Sequence, residues 1–266
     1  MIDIIDGEQF RNMIRYGAAA IQAEKQSIND LNVFPVPDGD TGTNMSLTIG
    51  AAVTALAEKQ ADTVGQAASV TASALLRGAR GNSGVILSLL FRGISRQVKE
   101  KVTMDGVDFA AALSEGVSAA YGAVMRPAEG TILTVSRLAA ERAAEASMED
   151  TSFQFVLEKA IERGEEALAD TVNQNPVLKK AGVVDAGGKG FLVILTGMLS
   201  CLKGEPIAAG AEPQAQPTRQ KADFTEFDVQ DTTFAFDTVY IVRKKTADVD
   251  LEPLRRYLGS IGDSLV

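Results

Sequence analysis

Residues 32–45, "NVFPVPDGDTGTNM", break the pattern of everything around them. The flanking sequence is rich in Ala and Leu and reads as helix, whereas this stretch holds two prolines, two glycines and two aspartates. Asp38 and Asp40 are alternate loop residues, so both carboxylates fall on one side, and each offers oxygen to a hard divalent cation. Gly39 lets the backbone turn tightly between them. Pro35 and Pro37 stiffen the approach and lower the entropy lost when a ligand orders the loop. Asn32, six residues before Asp38, adds a side-chain carbonyl oxygen. The same residues also suit a plain β-turn followed by a helix N-cap, so the stretch alone does not decide between turn and cation site. A calcium EF-hand is excluded: Gly42 and Thr43 stand where the template needs Asp or Asn and then Gly, and Ile49 stands where it needs Glu.

Composition narrows the chemistry. The chain has one cysteine, Cys201, and no histidine. Disulfide frameworks, thiolate-rich metal sites, imidazole ligands and His-based triads are therefore excluded. Any metal must be held by oxygen, which points to magnesium, calcium or manganese. A net charge of −9 without a Lys/Arg run argues against a nucleic-acid partner. An acidic chain that handles phosphate needs metal ions or helix amides to offset its own field. The N-terminus "MIDIIDGEQF" carries acids where a secretory signal carries basic residues, so a cytoplasmic protein is expected. The longest apolar run, "FLVILTGMLSCL" from Phe191, is about a dozen residues and too short to span a bilayer.

Helical periodicity fills residues 8 to 203, with helices expected at about 8–26, 43–58, 64–79, 83–99, 106–125, 131–147, 151–172 and 185–203. Phe10, Met13, Ile14 and Ile21 mark the inward stripe of the first, and the last is apolar nearly all round, as a central helix would be. Short connections predict antiparallel neighbours. The expected fold is mainly α, an antiparallel eight-helix barrel or bundle over 1–203. A Pro- and Ala-rich linker follows at 204–222, and then the start of a small α/β domain at 223–266. There "FDTVYIVRKK" reads as a strand, "LEPLRRYL" as a short helix and "GSIGDSLV" as the approach to another strand, which suggests an N-terminal fragment.

Three further stretches share the character of the first. In "RGARGNSGVILS" (77–88), Gly81 permits close backbone approach and Asn82 or Ser83 can cap the next helix; a tight helix–helix turn is the alternative reading. In "RPAEGTILTV" (126–135), Pro127 ends one helix and Thr131 starts another. In "GVVDAGGKGF" (182–191), Asp185 is a good N-cap, followed by Ala186 and Gly187 where a ligand needs room, and Lys189 can meet an anion. In an up-and-down bundle all four of these helix starts emerge at one end. Four positive dipole ends and a carboxylate pair on one surface describe a metal–nucleotide pocket, although no known nucleotide-binding motif is present.

Taken together, these motifs resemble those of the kinase subunit of bacterial fatty-acid kinase. Its N-terminal domain is similar to the nucleotide-binding subunit of dihydroxyacetone kinase (the DhaL-like or DAK2 domain). The resemblance runs through residues 1 to 203 in order. It implies an all-α barrel of eight helices, open at one end for ATP and two magnesium ions. The metals would be held by Asp38 and Asp40, with Asn32 standing where dihydroxyacetone kinases place a further Asp. Thr43 and Asn44 would open the helix facing the phosphates, and Gly81, Asn82 and Ser83 would contact them. Thr131, Leu133, Asp185, Ala186 and Gly187 would line the nucleotide pocket. The implied acceptor is a fatty acid presented by a separate DegV-like lipid-binding protein, with dimerisation through a C-terminal part. The implied alternatives are a glycerone (dihydroxyacetone) kinase subunit and a non-catalytic nucleotide-binding scaffold. Asp237 stands where many relatives carry a Cys that holds a structural metal.

Overall fold

A computed structural model describes residues 1–207 and 249–262. The linker beyond residue 207, the strand expected in "FDTVYIVRKK" and Asp237 lie outside the described residues. Helices α1 (Gly7–Ala23), α3 (Thr41–Glu58), α4 (Val64–Gly78), α5 (Gly81–Gln97), α6 (Gly106–Ala123), α7 (Ile132–Glu149), α8 (Phe153–Gln174) and α10 (Ala186–Leu202) are the long ones. In the order α1, α3, α4, α5, α6, α7, α8, α10 each packs on the next, and α10 closes the ring on α1. This is the antiparallel eight-helix barrel that the periodicity predicts.

Local chemistry explains where the helices start. Asp6 and Gln9 form a capping box at α1, and Thr63 with Gln66 forms another at α4. Asp105 and Ser152 cap α6 and α8. The stripe Phe10, Met13, Ile14 and Ile21 is buried as expected. It meets α10, which also touches α2, α3, α7 and α8 and buries most of its length. Phe109 and Phe153 pack with ring centroids 4.9 Å apart inside this core. Each fully buried aromatic or branched side chain contributes about 1.5–3 kcal/mol. Glycine allows close helix contacts: a Cβ on Gly93 of α5 would lie 2.4 Å from the Glu115 carbonyl oxygen and 2.5 Å from Gly116 Cα on α6.

Four details differ from the sequence reading. The first helix does not run to 26. It ends at Ala23, and after Glu24 a separate five-residue helix α2 (Lys25–Asn29) follows. A short α9 (Pro176–Ala181) intervenes before α10, started by the Asn175 cap and a proline in its first turn. Two-residue strands β1 (Ile4–Ile5) and β2 (Met104–Asp105) pair antiparallel, Ile4 opposite Asp105, and tie the N-terminus to the start of α6. Finally, α11 (Glu252–Ile261) confirms the helix expected in "LEPLRRYL" but continues through Gly259, Ser260 and Ile261, where an approach to a strand was expected.

Candidate functional site

The loop at 32–40 is built around Asn32, which is buried. Its amide donates to the Val36 carbonyl at 2.8 Å and to Asp38 Oδ1 at 2.7 Å, and its Oδ1 accepts from the Thr41 hydroxyl. The Phe34–Pro35 peptide is cis, and Gly39 adopts φ +68°, the left-handed turn that the sequence required of it. Burial, followed by the charge and hydrogen bonding of neighbouring Asp40, pushes the Asp38 carboxyl up to about 6. Two crowded carboxylates are both charged most readily when a cation sits against them. Among the described residues no group of three or more His, Cys, Asp or Glu is placed to hold a metal. Asp38 and Asp40 offer oxygen donors of the kind a hard cation takes, fewer than such an ion's full set. The Asn32 oxygen, expected as a third donor, is turned to Thr41 and holds the loop together.

Asp40 is the N-cap residue of α3 but makes no side-chain cap bond. Asn29 of α2 does that work from outside: its Oδ1 accepts from the Thr43 amide at 3.0 Å, and its Nδ2 donates to Thr43 Oγ1 at 3.0 Å. The next motif joins directly. Gly81 has φ +56°, and a Cβ there would lie 2.5 Å from Asn44 Nδ2, so Asn44 tucks against the start of α5. Thr48 fastens the two helices, accepting from the Arg80 amide at 3.1 Å and donating to the Asn44 carbonyl at 2.7 Å. The cap of α5 is Arg80, so Asn82 and Ser83 lie in the first turn rather than capping it as expected. Both residues line the cavity described below.

Thr131 caps α7, accepting from the Leu133 amide at 3.4 Å. The loop before it is clamped by Glu129, which accepts from Thr134 Oγ1 at 2.6 Å, from the Tyr121 hydroxyl at 3.1 Å and from Arg137 at 3.3 Å. The Thr134 hydroxyl first, with help from Tyr121 and Arg137, holds the Glu129 carboxyl below its usual range. Asp185 caps α10: its Oδ2 accepts from the Gly188 amide at 2.6 Å, and the Ile132 amide at the start of α7 also donates to it. One carboxylate thus serves two helix starts. Burial nevertheless pushes it up to about 6. Lys189 lies 3.8 Å from Glu165 rather than facing an anion site.

A cavity of about 390 Å³ opens where these starts meet. Asn82, Ser83, Thr131, Leu133, Asp185 and Gly187 line it together with Phe34 and Pro35, so all four motifs contribute walls. Thr43, Asn44, Gly81 and Ala186 are not among the lining residues, and neither are Asp38 and Asp40, which follow Phe34 and Pro35 by a few residues along the chain. Sequence reasoning missed Asn29, whose partner is 14 residues away, and the arginines Arg126, Arg255 and Arg256 that also line the cavity. Phe34, Ile86, Val124 and Ile132 give the cavity apolar faces suited to a flat ring, with amide and hydroxyl donors nearby for oxyanions. No helix among the described residues is long and apolar enough to cross a membrane.

A family model described as the DAK2 domain matches residues 35–200. Protein YloV of Bacillus subtilis (strain 168) is 40% identical over 272 residues, covering all of this chain and 49% of that protein. Uncharacterized protein SSP1546 of Staphylococcus saprophyticus is 39% identical over 271 residues, again covering all of this chain and 49% of the relative. The chain thus spans about half the length of the curated relatives it matches. The native crystal structure of the dihydroxyacetone kinase of C. freundii shares the fold, with TM-score 0.55 and 16% identity over 75% of this chain and 35% of that one. That kinase in complex with AMP-PNP and Mg2+ superposes with TM-score 0.57 at the same identity and coverage.

Proposed function

The chain belongs to the DAK2 domain family, and from that premise we propose that it binds ATP with magnesium at the open end of its barrel and transfers the terminal phosphoryl group to a fatty acid. The observation that carries the nucleotide reading is the convergence of the α5, α7 and α10 starts on one cavity, with the Asp38–Asp40 pair on the adjoining loop. The AMP-PNP and Mg2+ named for the C. freundii kinase support the choice of ligand. The domain that does this is residues 1–203, followed by a linker at 204–222 and the start of an α/β domain. We place the protein in the cytoplasm.

In this reading Asp38 and Asp40 hold the metal, two ions when both sites are filled, and Asn32 keeps Asp38 in place by donating to its Oδ1. Magnesium supplies charge neutralisation on the phosphate oxygens. Thr43 and Asn44 lie in the first turn of α3, the helix that faces the phosphates, and Gly81, Asn82 and Ser83 present amide and hydroxyl donors to them. Thr131, Leu133, Asp185, Ala186 and Gly187 form or back the wall against the base and ribose. The acceptor is a carboxylate, ionised at pH 7, so no general base is required, and the chain has no histidine to serve as one. A carboxylate oxygen forms the new P–O bond, the bond from the terminal phosphorus to the bridging oxygen breaks, and ADP leaves beside an acyl phosphate. The fatty acid is presented by a separate DegV-like lipid-binding protein.

Incubating the chain with MgATP and a fatty acid loaded on such a carrier tests this. ADP release that depends on both carrier and fatty acid is the expected result. ADP release with dihydroxyacetone instead would move the protein to the glycerone kinases. MgATP binding without turnover on either acceptor would favour a scaffold.

A further inference from the structure

Helix α11 lies against the rim of the cavity: a Cβ on Gly259 would be 3.9 Å from Met125 Cε on the loop after α6. That placement brings Arg255 and Arg256 to a cavity already flanked by Arg126 from the same loop. Three arginines therefore line one opening in a chain of net charge −9. Arg255 is shared with Glu252 at 3.1 Å on the helix surface. Arg126 and Arg256 have no carboxylate partner among the described residues. The acid that lines the cavity, Asp185, is buried and already accepts two helix amides, so it does not neutralise them. Uncompensated like charges gathered at an opening are what an anionic ligand would balance, and guanidinium presents paired donors that match the oxygens of a phosphoryl or carboxylate group.

We propose that Arg255 and Arg256 of α11, with Arg126, form an oxyanion-binding lip, so that α11 completes the pocket formed by the barrel. This rests on the nucleotide reading above and adds the role of α11 to it. Two oxyanions are available, the phosphates of the nucleotide and the carboxylate of the acceptor. They must come within about 3–3.5 Å of each other for transfer, so cations at the opening would lower the repulsion between them.

The test uses the whole chain with Arg126→Gln and with the double change Arg255→Gln/Arg256→Gln, checked for intact helix content and melting temperature. MgATP and adenosine are titrated calorimetrically, and transfer is followed against fatty acid on the carrier. Loss of a charge-assisted contact predicts about a tenfold change. A tenfold weaker MgATP affinity with adenosine unchanged places the nucleotide phosphates on the lip. Unchanged MgATP affinity with a tenfold higher KM for the fatty acid places the acceptor there. In either case Arg255→Lys/Arg256→Lys recovers part of the loss by restoring charge without the fork. The proposal is overturned if MgATP and adenosine weaken alike, or if no variant changes either constant. Should the unaltered chain bind no MgATP, the nucleotide reading falls by itself. Inorganic pyrophosphate then tests the lip alone, with binding lost in the double variant upholding it and binding absent or unaltered overturning it.

Discussion

Asp38 and Asp185 carry the same functional group, and both are pushed up to about 6, yet they sit in opposite kinds of surroundings. Asp38 is exposed on a loop, and its discomfort comes from partial loss of solvent around its carboxyl together with a second carboxylate, Asp40, beside it. A cation relieves that. Asp185 is fully enclosed, and its discomfort is burial alone, eased by the amides of Gly188 and Ile132 at two helix starts. No cation is needed there, because the helix termini already supply partial positive charge. The difference teaches that a raised acid at a pocket is not by itself a metal ligand. What crowds it decides whether it waits for an ion or serves as a joint.

The largest effect expected from breaking this contrast is on activity. Asp38→Ala should lower MgATP-dependent transfer by at least about 100-fold, since it removes a charge that acts on the reacting phosphates. Far-UV circular dichroism and the melting temperature should stay near those of the unaltered protein. Asp185→Ala should behave the other way round. It leaves two buried amides without an acceptor, at about 1–3 kcal/mol each, and should appear first as a lower denaturation midpoint.

A pH series sharpens the same contrast. The folded-state value of Asp185 lies above the ordinary 3.8, so its contribution to stability is complete below pH 3.8 and is lost as pH rises through 6. The loss amounts to no more than about 3 kcal/mol. Asp185→Asn keeps an acceptor for the amides and removes the charge. The difference in unfolding free energy between it and the unaltered protein should shift in favour of the variant between pH 4 and 7. A pH-independent difference would mean that Asp185 is not the group responsible. The smallest effect is predicted for Asp38→Asn, which removes repulsion at a partly exposed site. It should raise the melting temperature of the nucleotide-free protein slightly, by less than about 1 kcal/mol in stability, while removing activity.

The barrel was legible because its helices are long and their apolar stripes regular: Phe10, Met13, Ile14 and Ile21 are enough to orient α1. Thr131 and Asp185 were legible as caps because their partners are two and three residues away. The cap of α3 was not, because Asn29 reaches Thr43 across 14 residues and from another helix. The split after Ala23 leaves no proline or glycine to mark it, whereas α9 did leave a signal in Asn175–Pro176. At α5 the sequence offered two good caps, Asn82 and Ser83. With the left-handed Gly81 the helix starts two residues earlier than expected, and both become cavity wall. The arginine lip was hidden because α11 is more than 120 residues from Arg126, and nothing in a basic pair on a short helix says where the helix packs.

The most direct measurement is a crystal structure of the chain grown with AMP-PNP and Mn2+, read by the anomalous signal of manganese. The account predicts a metal peak within about 2.0–2.3 Å of oxygens from both Asp38 and Asp40, joined to phosphate oxygens, with the base in the cavity beside Thr131 and Gly187. Nucleotide bound in that cavity with both aspartates turned away from any metal would contradict it.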